Sequence, residues 1–322
     1  MNKKIYLVRN GQPEYPSDQN VYSGQTDLPL SVVGRLQAVL LGEYFRDKEI
    51  SVYHTGLLCP LETASYIRPK TAFKHGFPEP ANGVSDRMVY ARNILDSIAV
   101  DTKTDIVIVA DTDMIRLLLH AAQNASAYDI SECKHSYGSI STLFLSNQQY
   151  AIQQIGFLPH PQLNAAVCRK LFSAYKTPEH VWNHCAAIAD KALQLAKGSP
   201  VDMDLLYAAA LLHDIAKGEK DHASAGAQLL TRLGYPEIGD IIAVHHDLPV
   251  SDELSINEKT ILYLADKLVQ RNRVVTLQER FSASQTKCTD EVARRNHAQR
   301  FSQALQLQTL LTDNASQARP IY

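Results

Sequence analysis

Two periodicities divide the chain. Up to residue 158, short apolar runs rich in β-branched residues alternate with amphipathic helical stretches. Ile5–Val8 and Ile106–Ala110 read as central parallel strands, since each is a short apolar run with turn-forming neighbours. Gly34–Phe45 and Met114–Ala122 read as helices, and a further helix is expected after Asp86. Tyr137–Leu145 alternates Ser and Thr with apolar positions, as a later strand does, and Gly76–Pro80 reads as a loop. Strand alternating with helix predicts an α/β domain of three layers.

The grammar changes at Gly156-Phe157-Leu158-Pro159-His160-Pro161, where two prolines around a histidine resist helix and strand alike. Beyond it nearly everything has helical period. Thr177-Pro178 predicts a cap followed by a proline at the first helical position. The helix it opens carries Val181, His184, Ile188, Ala192 and Leu195 along one side. Helices are expected over Asp202–Ala216 and Ala223–Leu233. Ser255-Ile256-Asn257-Glu258 predicts a capping box before the helix holding Leu262, Ala265 and Asp266. The organisation read from this is an α/β domain over 1–158 and an all-α bundle over 164–322, and 322 residues suit two cores better than one.

Composition narrows the function classes. Hydrophobic residues at 45% and charged residues at 20% exclude a disordered chain. The net charge is −2 and neither half is net basic, which argues against a nucleic-acid surface held by bulk electrostatics. No apolar run approaches the roughly 18 residues of a membrane span. The opening Met-Asn-Lys-Lys-Ile-Tyr-Leu-Val reads as a short buried strand and not as a signal peptide. Cys59, Cys133, Cys168, Cys185 and Cys288 are odd in number and contain no Cys-x-x-Cys pair, which suits reduced thiols in a cytoplasmic protein.

Most of the twelve histidines fall in the helical half, among them His184, His213, His222, His245 and His246. Imidazole and carboxylate together suit divalent first-row metals. Adjacent His213 and Asp214 end an apolar helix. Asp266 interrupts the apolar run Leu262-Tyr263-Leu264-Ala265-Asp266-Lys267-Leu268, a costly place for an unpaired carboxylate. This set resembles the HD superfamily of metal-dependent phosphohydrolases, whose signature is His, then His-Asp, then a distant Asp. The matching positions are His184, His213, Asp214 and Asp266, with Ala208–Lys217 and Leu264-Ala265-Asp266-Lys267 as the closest segments.

The resemblance implies a divalent cation (Fe, Mn, Mg, Co and Zn all remain open) on those four residues. Some members hold a second ion, and His222, His245 and His246 stand at comparable places, as ligands of that ion or as substrate contacts. The ion would lower the pKa of a bound water so that hydroxide attacks phosphorus. Asp214 could also orient that water. Lys217 either meets a substrate phosphate or is a solvated lysine near a helix end.

The first half resembles the opening of the histidine phosphatase superfamily, the phosphoglycerate-mutase-like fold. The resemblance rests on Ile5-Tyr6-Leu7-Val8-Arg9-Asn10-Gly11, on Gly24–Gly34, on Val52–Ala64 and on Ile106–Arg116. The departures lie at its chemistry. Asn10 stands where the family has its nucleophilic histidine, Asp111 where it has its second histidine, and Cys59 about where its second arginine belongs, leaving Arg9. An amide cannot form a phosphoenzyme, and a carboxylate in place of a cation repels a phosphate dianion. Cys59-Pro60 offers no cation to activate a substitute thiolate.

The expectation is therefore a metal-dependent phosphohydrolase acting through the helical domain on a nucleotide or other small phosphoester. The first domain would be a catalytically dead scaffold or regulatory pseudo-phosphatase. The alternative is a non-catalytic regulatory or assembly protein with a structural metal. Neither a nucleic-acid nor a membrane partner is expected, and the oligomeric state is open.

Overall fold

The computed structural model describes residues 2–15, 27–67, 84–101, 104–123, 134–249 and 254–317. The chain divides into two compact units, Met1–Pro161 and Gln162–Tyr322.

In the first unit β1 (Lys3–Arg9), α1 (Val32–Tyr44), β2 (Ile50–His54), α2 (Leu58–Ile67), α3 (Val84–Asp101), β3 (Asp105–Ala110), α4 (Thr112–Ala122), β4 (Ile140–Ser146) and β5 (Gln149–Phe157) follow in order. They form one five-stranded sheet, ordered β2-β3-β1-β4-β5. β2, β3 and β1 run parallel, whereas β4 and β5 are antiparallel additions. The alternation of side chains along a strand builds the three layers. Ile5 and Leu7 pack with Ala91, Leu95, Leu118 and Leu119 of α3 and α4. Tyr6 and Val8 face the other way, onto Leu41, Phe45, Ala64 and Ile67 of α1 and α2.

The strand expected over Tyr137–Leu145 starts only at Ile140, leaving Tyr137–Ser139 outside it, and β5 was not anticipated. The expected loop Gly76–Pro80 lies outside the described residues. After β1 the chain passes so close to α1 that a Cβ on Gly34 would lie 2.2 Å from the carbonyl oxygen of Gln12. Ser31 caps α1 by accepting from the backbone N–H of Gly34.

The second unit contains α5 (Ala165–Tyr175), α6 (Glu179–Leu195), α7 (Met203–Leu212), α8 (His222–Arg232), α9 (Pro236–Ile242), α10 (Glu258–Lys267), β6 (Val269–Gln270), β7 (Arg273–Val274), α11 (Leu277–Gln285) and α12 (Glu291–Gln317). It is helical, as expected, with a short hairpin of two-residue strands β6 and β7 added to it.

Two caps differ from expectation. Pro178 is itself the N-cap of α6, and the Thr177 hydroxyl does not cap but donates to the Ile215 carbonyl at 2.5 Å. That bond ties the start of α6 to the turn after α7. The capping box of α10 pairs Asn257 with Thr260, two residues later than Ser255–Glu258. α7 ends at Leu212 with His213 as C-cap, shorter than the run Asp202–Ala216. The turn that follows carries Asp214.

Candidate metal centre

Five helix ends or faces bring the helical unit's histidines together. His184 comes from the middle of α6 and His213 from the cap of α7, with Asp214 next to it. His222 is the first residue of α8, positioned by Asp221, whose carboxylate caps that helix through the N–H of Ser224. His245 and His246 follow α9, and Asp266 lies in the last turn of α10.

The buried histidines have one ring nitrogen committed and the other aimed inward. Nδ1 of His213 is 2.8 Å from the Ala210 carbonyl, and Nδ1 of His245 is 2.6 Å from that of Ile242, each three residues back. Nδ1 of His184 bonds the Arg271 carbonyl in the β6–β7 turn. A ring nitrogen next to a carbonyl must carry the proton, which leaves Nε2 with its lone pair free. The Nε2 atoms of His213 and His245 are buried and have no hydrogen-bond partner. Orphaned acceptors at that depth are costly unless something fills the place between them.

Two groups of donor atoms converge, each with its atoms within 4.8 Å of one another. One is His184, His213 and Asp214, and the other is Asp214, His222, His245 and His246. Asp214 belongs to both. Its Oδ1 is 2.9 Å from His222 Nε2 and 3.6 Å from His245 Nε2, and its Oδ2 is 3.7 Å from His213 Nε2. The Nε2 atoms of His222 and His246 lie 2.7 Å apart. Nitrogen and carboxylate donors with buried free lone pairs fit a divalent cation, and the shared carboxylate fits two.

Asp266 stands slightly apart. Its Oδ1 is 3.6 Å from His184 Nε2, while its Oδ2 accepts from Lys267 at 2.9 Å. Lys217 is half-exposed at the rim, with Nζ 3.0 Å from Asp214 Oδ2 and 3.1 Å from His222 Nε2. Its ion pair with Asp214 was not legible in the sequence. Nor were the Nδ1–carbonyl bonds or the bond from Lys267.

The electrostatics favour neutral imidazoles at His213, His222 and His246 beside charged carboxylates, with His184 the exception. Burial pushes the His213 imidazole down to about 4, and burial with His245 and Lys267 nearby pushes His246 down to about 3. Burial also lowers His184, but the hydrogen bond and charge of Asp266 outweigh it and raise that ring. Burial alone would raise Asp214 and Asp266. The neighbouring histidines and Lys217 hold Asp214 below the carboxylate range, and Lys267 with His184 does the same for Asp266.

The four singled-out residues of the first unit line one cavity of about 360 Å³. Its polar groups are largely committed to the protein itself. Arg9 donates to the His135 carbonyl and lies 3.7 Å from the centroid of the Tyr137 ring. Asn10 donates to the Gly11 carbonyl at 2.8 Å. The Cys59 thiol donates to the Leu28 carbonyl, and burial, with Glu62 and Asp27 nearby, pushes it up to about 12. Asp111 is the N-cap of α4, accepting from the N–H of Met114 at 2.8 Å. Asp27, Asp113 and Arg116 also line the cavity, so Arg9 is not its only cation. Arg116, one and a half turns along α4, was missed. An Asp111-x-x-Met114 cap just ahead of it was the available signal.

The family model of the HD domain matches residues 181–270, and that of the histidine phosphatase superfamily (branch 1) matches residues 5–75. An uncharacterized protein of Methanocaldococcus jannaschii is 32% identical over 123 residues, covering 31% of this chain and 73% of its own. A tRNA (cytidine(56)-2'-O)-methyltransferase of Thermoplasma volcanium is 26% identical over 145 residues, 40% of this chain and 43% of that enzyme. This chain thus spans less than half of the methyltransferase's length.

Among solved structures, phosphoserine phosphatase from Entamoeba histolytica in complex with 3-phosphoglyceric acid covers 48% of this chain and 97% of its own. It is 14% identical, with a TM-score of 0.41. Both matched families point to hydrolase or phosphatase activity. The described residues contain no helix long and apolar enough to cross a membrane. The chain thus carries an HD domain in its helical half and a histidine phosphatase superfamily domain in its first half.

Proposed function

We propose that the helical domain is a metal-dependent phosphohydrolase acting on a nucleotide or other small phosphoester. The observation that carries this is the pair of buried Nε2 atoms of His213 and His245, partnerless beside a buried carboxylate that two donor groups share. His184, His213, Asp214 and Asp266 would hold one ion, and His222, His245 and His246 a second with Asp214 in common. When bound, such ions supply Lewis acidity, acidifying water and offsetting the negative charge of phosphoryl oxygens.

The chain's own residues do the rest. The Ala210, Ile242 and Arg271 carbonyls hold the imidazoles in one tautomer, so each presents a lone pair without reorganisation. Asp214, kept ionised by its neighbours, can accept a hydrogen bond from the attacking water and orient it. Lys217 at the rim supplies a cation for a phosphate oxygen, within reach of the same carboxylate.

The first domain, on this reading, hydrolyses nothing and serves as a scaffold or regulatory pseudo-phosphatase. Asn10 has no imidazole to phosphorylate, the Cys59 thiol is held protonated, and Asp111 caps a helix. The test is a panel of nucleotides and phosphoesters with divalent metals, comparing wild type with His213→Ala and Asp214→Ala. Turnover lost in both variants supports the reading. No turnover in any of the three would favour a structural metal in a non-catalytic protein.

A further inference from the structure

The helical core holds a buried cation that the proposed chemistry does not use. Lys267 and Asp266 are consecutive residues of α10, with side chains 8% and 6% exposed. The ammonium of Lys267 donates to Asp266 Oδ2 at 2.9 Å and to the His245 carbonyl at 3.1 Å. It also lies 4.5 Å from the centroid of the Tyr263 ring. Tyr263 is itself anchored, its hydroxyl donating to the Arg300 carbonyl of α12 at 3.0 Å. A lysine has three donors, and here two carbonyl-type oxygens and a ring face receive them with no water needed.

Such a lysine is expensive to bury unless its charge is matched. It is matched by one oxygen of Asp266 only. The other, Oδ1, points the opposite way, 3.6 Å from His184 Nε2. We propose that Lys267 is a positioning residue of the metal centre: by holding Oδ2, it makes Oδ1 the single oxygen that Asp266 presents to an ion. Through the His245 carbonyl it also fixes the backbone of a second donor-bearing residue. A free buried carboxylate could close on an ion with both oxygens, raising its coordination number and removing a place for water or substrate. Lys267 prevents this and offsets the second carboxylate of the centre. The inference rests on Asp266 facing an ion, as proposed above.

The experiment uses Co²⁺ as probe with the full chain, reading affinity, visible d–d absorption and thermal midpoint with and without the ion. In Lys267→Met the metal-free protein keeps a buried carboxylate with no cation, which ion binding relieves. Co²⁺ then binds about ten-fold more tightly. Its d–d absorption weakens as Asp266 supplies a second oxygen, and Co²⁺ raises the thermal midpoint more than in wild type. Lys267→Gln keeps a donor for Oδ2 without the charge, so it retains the wild-type absorption while binding more tightly. Asp266→Asn weakens Co²⁺ binding about ten-fold.

A lysine that is only half of a structural ion pair would give another pattern. Both Lys267 variants would lose thermal stability equally with and without Co²⁺, at wild-type affinity and absorption. That outcome, with Asp266→Asn still weakening Co²⁺, overturns the positioning role and leaves the centre intact. If neither Lys267 variant folds even with Co²⁺, the lysine serves the fold and the proposal is also overturned. Wild-type protein that binds no Co²⁺, or binds it regardless of Asp266→Asn, contradicts the centre itself and the positioning role with it.

Discussion

The rings of His213 and His245 meet edge to face with centroids 4.9 Å apart, and each turns a buried, partnerless Nε2 toward a different oxygen of Asp214. Each ring is locked from behind by a carbonyl of its own helix. The two residues are far apart in sequence but share one tautomer and one target. A core assembled for packing alone would have filled this place with apolar side chains.

Removing either ring should therefore lower metal content. His213→Gln and His245→Gln are expected to reduce bound divalent metal by at least about ten-fold while leaving the helical content of the protein unchanged. Elemental analysis of dialysed protein checks this. Unchanged stoichiometry in both variants would mean that the orphaned nitrogens face something other than an ion.

The metal-free protein should weaken as pH falls below the ordinary imidazole range. His213 titrates near 6.5 when unfolded but is pushed down to about 4 when folded, so the unfolded chain takes up its proton first. The stability this ring supports is complete above about 6.5 and is lost as pH falls toward about 4. His246 acts in the same sense, down to about 3. His184 has the opposite sign: its raised value stabilises the fold below its ordinary pKa, and that contribution is lost as pH rises through the raised value. His222, lowered by burial and Lys217, acts in the same sense as His213, so three depressed rings oppose one raised ring and the denaturant midpoint of chelated protein should drop between about pH 7 and about pH 5. A flat or rising midpoint over that window contradicts the protonation states assigned to the centre.

The first domain should tolerate loss of its old chemistry. Arg9→Ala should leave phosphoester turnover by the whole protein unchanged, and Asn10→His alone should yield no phosphoenzyme. Asp111→Ala removes the cap of α4 and should cost about 1 kcal/mol of that domain's stability, again without loss of turnover. Thermal unfolding and steady-state assays on the same preparations separate the two effects. Turnover abolished by Arg9→Ala would make the first domain a live phosphatase.

Gly34→Ala should destabilise the first domain severely, since the added Cβ meets the Gln12 carbonyl oxygen at 2.2 Å, backbone that cannot step aside. A thermal midpoint within a degree or two of wild type would contradict the close approach of α1 to the loop after β1.

The parts of this centre that were legible in the sequence are those written as residue type and spacing. His213-Asp214 at a helix end and Asp266 within an apolar run stand out because a buried charge needs a reason. The boundary near Pro161 stands out because proline breaks both periodicities. What the sequence left hidden depends on tertiary register. The Arg271 carbonyl behind His184 sits in a two-residue hairpin too short to leave a strand pattern. Lys267 was read only as part of the segment Leu264-Ala265-Asp266-Lys267, and only the packing of α10 reveals that its side chain turns inward. Thr177 and Ser255 resemble caps, but Thr177 was drawn to the Ile215 carbonyl, and Asn257 sits closer to the start of α10. Asp111 was read for its charge, whereas its local role is to cap a helix.

The most direct test joins metal quantification to turnover in single preparations of wild type and Asp266→Ala, using the phosphoester panel. Wild-type protein should carry at least stoichiometric divalent metal and show metal-dependent release of phosphate or a phosphoester. In Asp266→Ala both should fall together. Full metal occupancy in both proteins with no hydrolysis in either would contradict metal-dependent hydrolysis by this centre.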